Sequence, residues 1–466
     1  MAQDSTEAQQ EQQEIYQGEE AVSYEGCGAF MPKGANSDFA GTPVAEKVKQ
    51  GTLVLDTGAH ADFLAKYSDK EELNAGDIDQ IYKDTIMAGV VDHHAIDSFL
   101  SDKGIRNEKC ATAMVADFPE TVLESIKEHN IKQVDTHADS DLDAICSAYL
   151  AKSLVDHKQL PVMAKELASM VNVRDYGRSE VDSAEDFAEG LNGILHGLRT
   201  IYSEKASKEI AEQGFNPAII GKYENQRNEA MFKILNAVNK AKAEGKDINL
   251  DDRIDTANLN LDPALEAEVI QAKDLSKEAY QKFLEDFEQA EKGVMTIQDQ
   301  EGNPTNANLV MTASTEPLVF INLAYQRCSP DTVVAVFGGA KGKGGAPKCD
   351  GYDIGIQPDM ADKIDLKPVC LALNKAERKK RDKVYAKKVD ERSTEEKALI
   401  EQWEGQDDRE AFAGLWDRVA AREIDENDIL RKDPTPIVAN DSLIPASRTS
   451  QLDETEFKRV IREFIK

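Results

Sequence analysis

The stretch Val90-Val91-Asp92-His93-His94 joins two β-branched residues to an acid and two imidazoles with nothing between them. A short apolar run that ends this way reads as a buried strand delivering metal-binding side chains at its C-terminal edge. With only 7 histidines in 466 residues, a His pair behind an Asp is a local feature rather than a by-product of composition. The same residues would also suit a helix start, Asp92 serving as N-cap with two surface histidines behind it. Two further clusters of this kind favour the metal-binding reading. Leu53-Val54-Leu55 runs into Asp56, and Ile131 to Thr136 runs into His137, with Asp141 and Asp143 leading into the small-residue segment Ala144 to Leu150. Asp56, Asp141, Asp143, His93 and His137 together offer hard anionic oxygens and two imidazoles. That mixture suits a pair of Mn²⁺ or Mg²⁺ ions better than thiolate-seeking Zn²⁺. Paired ions about 3.5–4 Å apart would activate a bridging water for in-line attack on a phosphoryl group.

Asp92-His93-His94 is also the triplet of the DHH phosphoesterases, and residues 50–200 resemble that family at two more points. The spacing His137-x3-Asp141-x-Asp143 resembles its first motif, and Leu53 to Gly58, with the single acid Asp56, resembles its second. The order differs, because the segment that comes first in the family comes third here. A parallel sheet tolerates this, since crossover helices let strands that are neighbours in space be distant in sequence. The resemblance implies Mn²⁺ as the metal and Asp56 as the carboxylate bridging both ions. It implies His93 as a ligand, Asp92 as the acid that orients its ring, and His94 as the residue that meets the phosphate. His93 and Asp143 would share one ion, His137 and Asp141 the other. The family's fourth motif, one further Asp ligand, has two candidates: Asp175 within Val171 to Gly177, the first choice, and Asp117 after Ala111 to Ala116, which a circular permutation would favour.

The elements that must position these residues are legible as alternation. Apolar runs at 52–55, 87–91, 110–115 and 131–134 read as strands, separated by amphipathic stretches such as Pro119 to Ile126. Such alternation argues for a doubly wound, mainly parallel α/β sheet, whose ligands collect at the carboxyl ends of strands. The expected division is an acidic, Gln-rich extension over 1–43, a DHH-like metal-binding catalytic domain over 44–200, a helical connector over 201–304 and a substrate-binding α/β or α+β domain over 305–466. Residues 1–20, with six Gln, six acids and no base, read as a disordered tail. In the C-terminal part, Asn308 to Met311 and Thr332 to Phe337 read as strands. The second opens into the glycine-rich run 338–348, whose Lys341, Lys343 and Gly344 could turn ammonium and N–H groups onto a substrate anion. A surface hairpin is an equal alternative for that run. Lys375 to Arg392, with nine bases against four acids, reads as a solvated helix.

Composition bounds the partners. The net charge of −31 repels long nucleic acid and anionic membranes, so a small phosphorylated substrate met in a local pocket is expected. No stretch approaches 18 consecutive apolar residues, and no membrane span is expected. Six unpaired-looking cysteines suggest reduced thiols in a cytoplasmic protein, Cys110 and Cys146 packing in the core. His129, His157 and His196 read as helix or surface residues, His60 as a loop residue and Asp139 as a turn. A homodimer is compatible with all of this. The leading functional expectation is a manganese-dependent phosphoesterase acting on a small nucleotide or short oligonucleotide. Pyrophosphate or short polyphosphate hydrolysis, and a catalytically silent metal- or nucleotide-binding sensor, are the alternatives.

Overall fold

The computed structural model describes most of residues 44–338 and 351–400, with 417–418, 437–440 and most of 452–465. The N-terminal extension, His60, Asp139, and Lys341, Lys343 and Gly344 lie outside the described residues. The chain forms two compact units: residues up to 175 with 181–278, and residues 279 onward with the short segment 176–180. Both are mixed α/β. Among the described residues no helix is long and apolar enough to cross a membrane.

The first unit is organised around three short parallel strands, β1 (Thr52–Leu55), β2 (Val90–Val91) and β3 (Gln133–Thr136), in the order β2-β1-β3. Helix α1 (Val44–Lys49) precedes β1, and α2 (Ala75–Met87) crosses from β1 to β2. Gly89, at a φ of 81°, makes the turn into β2 at a place where a Cβ would strike Val48. The three strands are buried along almost their whole length, as expected for a parallel sheet covered by helices. Their register matters most. Leu55 pairs with Val91 on one side and Thr136 on the other, so Asp56, Asp92 and His137 leave the sheet at one level. Neighbouring strands lie about 4.8 Å apart, which brings the three clusters within reach of common ions.

Between β2 and β3 lie α3 (His94–Asp102), α4 (Ala111–Asp117) and α5 (Pro119–Glu128), and β3 is followed by α6 (Leu142–His157) and α7 (Ala164–Asp175). The run at 110–115, expected as a strand, is therefore helix α4. All six residues from Ala111 to Ala116 are buried. A run apolar on every side carries no period to separate helix from strand, and burial all round suits either. Contacts from outside the segment decide it. Cys110 at the N-cap makes no side-chain cap bond, and the Asp143 carboxylate accepts the Ala111 and Thr112 N–H groups at 2.7 and 2.8 Å instead. These are two of the amides that an uncapped helix start leaves unsatisfied.

The segment 201–304, expected as a connector, is divided between the units. Helices α8 (Ala184–Glu189), α9 (Leu191–Gln213), α10 (Pro217–Ala243) and α11 (Pro263–Gln289) follow in order, and all but the end of α11 belongs to the first unit. Their apolar faces are buried within that unit: Ile194, Leu195 and Leu198 on α9, and Met231, Ile234, Leu235 and Val238 on α10. At Gly197 a Cβ would meet the Ala272 carbonyl oxygen at 2.0 Å, so α9 and α11 approach backbone to backbone. Helices packed this closely form part of the first unit's core.

The second unit is a six-stranded mixed sheet, with β4 (Glu291–Gln298), β5 (Pro304–Ala313), β6 (Thr332–Gly338), β7 (Gly351–Gly355), β8 (Asp417–Arg418) and β9 (Ile437–Asn440) in the order β4-β5-β6-β7-β9-β8. Among the described strands of this sheet only β5 and β6 pair in parallel, and α12 (Pro317–Arg327) connects them. Met295, Leu309, Val333 and Ile354 from the sheet pack with Leu373 of α13 (Lys367–Ala386) and Phe457, Val460 and Ile461 of α14 (Glu454–Arg462).

Candidate metal centre

Asp56, immediately after β1, sits in left-handed backbone at a φ of 48°, a conformation Asp tolerates better than most residues. Its N–H donates to the Val91 carbonyl at 2.9 Å, which ties it to the end of β2, and its side chain is only 3% exposed. Its two oxygens face different imidazoles. Oδ1 lies 3.7 Å from His93 Nε2, and Oδ2 lies 3.6 Å from His137 Nε2.

Around each imidazole further carboxylates converge. His93 Nε2 is 3.4 Å from Asp175 Oδ2 and 4.0 Å from Asp143 Oδ2. His137 Nε2 is 3.8 Å from Asp141 Oδ1. Ligand atoms within 4.8 Å of one another form three groups: Asp56 with His137 and Asp141; His93 with Asp143 and Asp175; and Asp56 with His93 and His94. Separations of 3.4–4.0 Å are too long for good hydrogen bonds. Donors about 2.0–2.2 Å from one ion lie about 2.8–3.6 Å apart at octahedral or tetrahedral angles, so the shortest of these separations fall in that range and the others lie a few tenths of an ångström beyond it. The donors fit a hard divalent cation. Cys110 and Cys146, which pack beside Asp143, are no part of them: desolvation and that acid push both thiols well above their ordinary range.

The sheet supplies Asp56, His93 and His137, and helix termini supply the rest. Asp141 caps α6, accepting the Ala144 N–H at 3.0 Å, and Asp143 lies in its first turn, where the helix dipole favours a carboxylate. Asp175 ends α7. Asp117, the alternative for the fourth motif, is six residues along α4 from the end that Asp143 grips, a displacement of about 9 Å. It pairs there with Lys109 and Lys165. The acid that reaches His93 is Asp175.

The triplet Asp92-His93-His94 does two jobs at once, ending β2 and opening α3. Asp92 Oδ1 accepts the His94 N–H at 3.0 Å and lies 3.1 Å from His94 Nδ1. The acid at His93 Nδ1 is a different one, Asp97, at 2.7 Å. This corrects the expectation that Asp92 orients the His93 ring. The helix reverses the chain after His93, and a side chain four residues on then falls beside it. An Asp four residues after a strand-ending His, inside a helical pattern, was the available signal.

The electrostatics are those of a crowded acid cage. Desolvation and the Asp56 charge push Asp143 up to about 6, against the pull of His93. Desolvation, with Asp143, Asp56 and Asp141, carries Asp175 well above the carboxylate range. Desolvation opposes charge on the three rings, yet the surrounding acids outweigh it. His93 rises well above its ordinary value under Asp175, Asp97 and Asp56, and His137 does so under Asp141 and Asp56. His94, 43% exposed, is lifted to about 9 by Asp92 and Asp56. Asp141 moves the other way: desolvation is overcome by His137, the Ala144 N–H and Arg199. Titratable groups shifted this far by burial and by one another gather at functional sites.

The chain matches no family model, no curated protein and no solved structure.

Proposed function

We propose that the first unit is a two-metal phosphohydrolase of the DHH type, using Mn²⁺ or Mg²⁺ to cleave a phosphoester in a small nucleotide or short oligonucleotide. The observation that carries this reading is the division of Asp56, one oxygen toward His93 and the other toward His137, at 3.7 and 3.6 Å. A carboxylate shared between two clusters of N and O donors is the arrangement that holds a pair of divalent ions at close range. Ions bound there would supply an activated water and neutralise phosphoryl oxygens. The chain's own contribution is positional. Asp97 fixes the proton on His93 Nδ1 and directs Nε2 at the acids, and two backbone N–H groups hold the Asp143 carboxylate still. His94, tethered through Asp92 and partly open to solvent, is placed to donate a hydrogen bond to a substrate phosphate.

The test is a Mn²⁺ titration of the purified protein followed by turnover on dinucleotides, short oligonucleotides, pyrophosphate and tripolyphosphate. Two ions per chain and preferred cleavage of the phosphodiesters support the proposal. Faster pyrophosphate or tripolyphosphate turnover would reassign the substrate to phosphoanhydrides. Tight nucleotide binding without turnover would make the protein a sensor, and absence of bound metal would end the two-metal reading.

A further inference from the structure

Helix α10 lies far along the chain from every candidate ligand, and its sequence carries no recognisable pattern of chemistry. Arg227 nevertheless heads the largest fully buried side chains among the described residues, 2% exposed, on the helix whose Met231, Ile234 and Leu235 are core residues. Its neighbour Asn228 is 1% exposed. Burying a guanidinium costs several kcal/mol unless hydrogen bonds offset it, about the scale of a whole buried-pair effect. The bonds that accompany this burial lead to the metal centre.

Arg227 Nη2 donates to the Ser140 carbonyl at 3.1 Å, across 87 positions of sequence. Its Nε donates to Asn228 Oδ1 at 3.0 Å, which orients the Asn amide, and Asn228 Nδ2 in turn donates to Ser140 Oγ at 3.4 Å. Ser140 is itself 1% exposed, donates through Oγ to the His137 carbonyl at 2.9 Å and lies 2.9 Å from Thr136 Oγ1. Ser140 thus lies between the two candidate ligands, three residues after His137 and directly before Asp141. Those two residues face each other at 3.8 Å across one of the candidate ion positions. The other position is held by different means: Asp97 on His93, and the start of α4 on Asp143.

We propose that Arg227 and Asn228 are positioning residues for the ion at Asp56, His137 and Asp141, so that helix α10 sets the affinity of one metal position and leaves the other alone. The proposal rests on the two-metal reading above. Its physical basis is that His137 and Asp141, four residues apart, keep their separation only while the contacts that fix Ser140 between them hold. Hydrogen bonds behind metal ligands are typically worth about 10- to 100-fold in affinity.

Mn²⁺ titration with electron paramagnetic resonance tests it on the full chain, because two neighbouring Mn²⁺ ions couple magnetically and an isolated one does not. Wild type should take up two ions and show the coupled spectrum. Ser140→Ala, Asn228→Ala and Arg227→Gln should each retain one ion at wild-type affinity. The second ion should bind about 10- to 100-fold more weakly, with the spectrum of an isolated ion at intermediate loading. Arg227→Lys, which can still donate to the Ser140 carbonyl, should recover part of the loss. Asp175→Asn should weaken the opposite position and serves as the comparison. Folded variants that bind both ions as tightly as wild type, or that lose both equally, overturn the proposal. Should Arg227→Gln fail to fold, Ser140→Ala and Asn228→Ala, which remove no buried charge, decide by the same criterion. A wild type that binds no Mn²⁺ overturns the two-metal reading itself, and the wild-type titration shows this before any variant is made.

Discussion

Asp97 Oδ2 lies 2.7 Å from His93 Nδ1, one helical turn along the chain, and the opposite ring nitrogen faces Asp56, Asp143 and Asp175. A carboxylate on Nδ1 selects the tautomer whose Nε2 lone pair is available to a metal. Asp97→Ala should therefore weaken the ion at His93 by about 10- to 100-fold while removing no ligand. Calorimetric Mn²⁺ titration reads this directly, and an unaltered isotherm would leave Asp97 with a purely helical role.

Asp56→Asn replaces the carboxylate facing both clusters with an amide of nearly the same shape. It should abolish turnover and reduce affinity at both ion positions together. The melting temperature of the metal-stripped protein should change little, because relieved repulsion with Asp143 and Asp175 is offset by lost attraction to His93, His94 and His137. A variant that keeps two tightly bound ions would remove Asp56 from the site.

Asp175 and Asp117 separate cleanly. Asp175→Asn should lower affinity for the ion at His93, whereas Asp117→Asn should leave metal content unchanged. The second substitution should cost at most about 1 kcal/mol, the usual scale for an exposed ion pair with Lys109 and Lys165. Metal analysis of the two variants side by side checks the assignment, and the reverse pattern would make Asp117 the ligand in place of Asp175.

The protonation states give a pH signature. His94 rises from an ordinary 6.5 to about 9, and His93 and His137 are also raised. A raised group stabilises the fold fully below its unfolded value, and that contribution is lost as pH climbs through the folded value. The metal-stripped protein should lose melting temperature between about pH 6.5 and 9. Asp143, raised to about 6, likewise loses its contribution as pH rises, between the ordinary Asp range and about 6, while Asp141, which is lowered, stabilises above the ordinary Asp range. Bound ions displace these protons, so the gain in melting temperature on adding Mn²⁺ should grow across the same window. Differential scanning fluorimetry with chelator and with Mn²⁺ checks it, and a gain that shrinks with rising pH would contradict the assignment.

The three clusters at Asp56, Asp92 to His94 and His137 to Asp143 were legible in the sequence because each is local. An apolar β-branched or aliphatic run followed at once by acids and imidazoles states both the strand and what stands at its end. Their convergence also followed from the alternation of strands and helices, since ligands in such sheets gather at one edge. The tertiary structure alone decided the remainder. Cys110 to Ala116 is apolar on all sides, and it is helical where the distant Asp143 receives its first amides. The sequence favours Asp175 over Asp117 for the further ligand without excluding either, and only the fold shows that Asp175 faces His93 while Asp117 pairs with Lys109 and Lys165. Asp97 displaced Asp92 as the partner of His93 because the chain turns into a helix at that ring. Arg227 and Asn228 reach Ser140 across 87 and 88 positions. A single sequence records the local backbone preferences that make strands and helix starts, whereas hydrogen bonds between distant segments exist only once packing has brought them together.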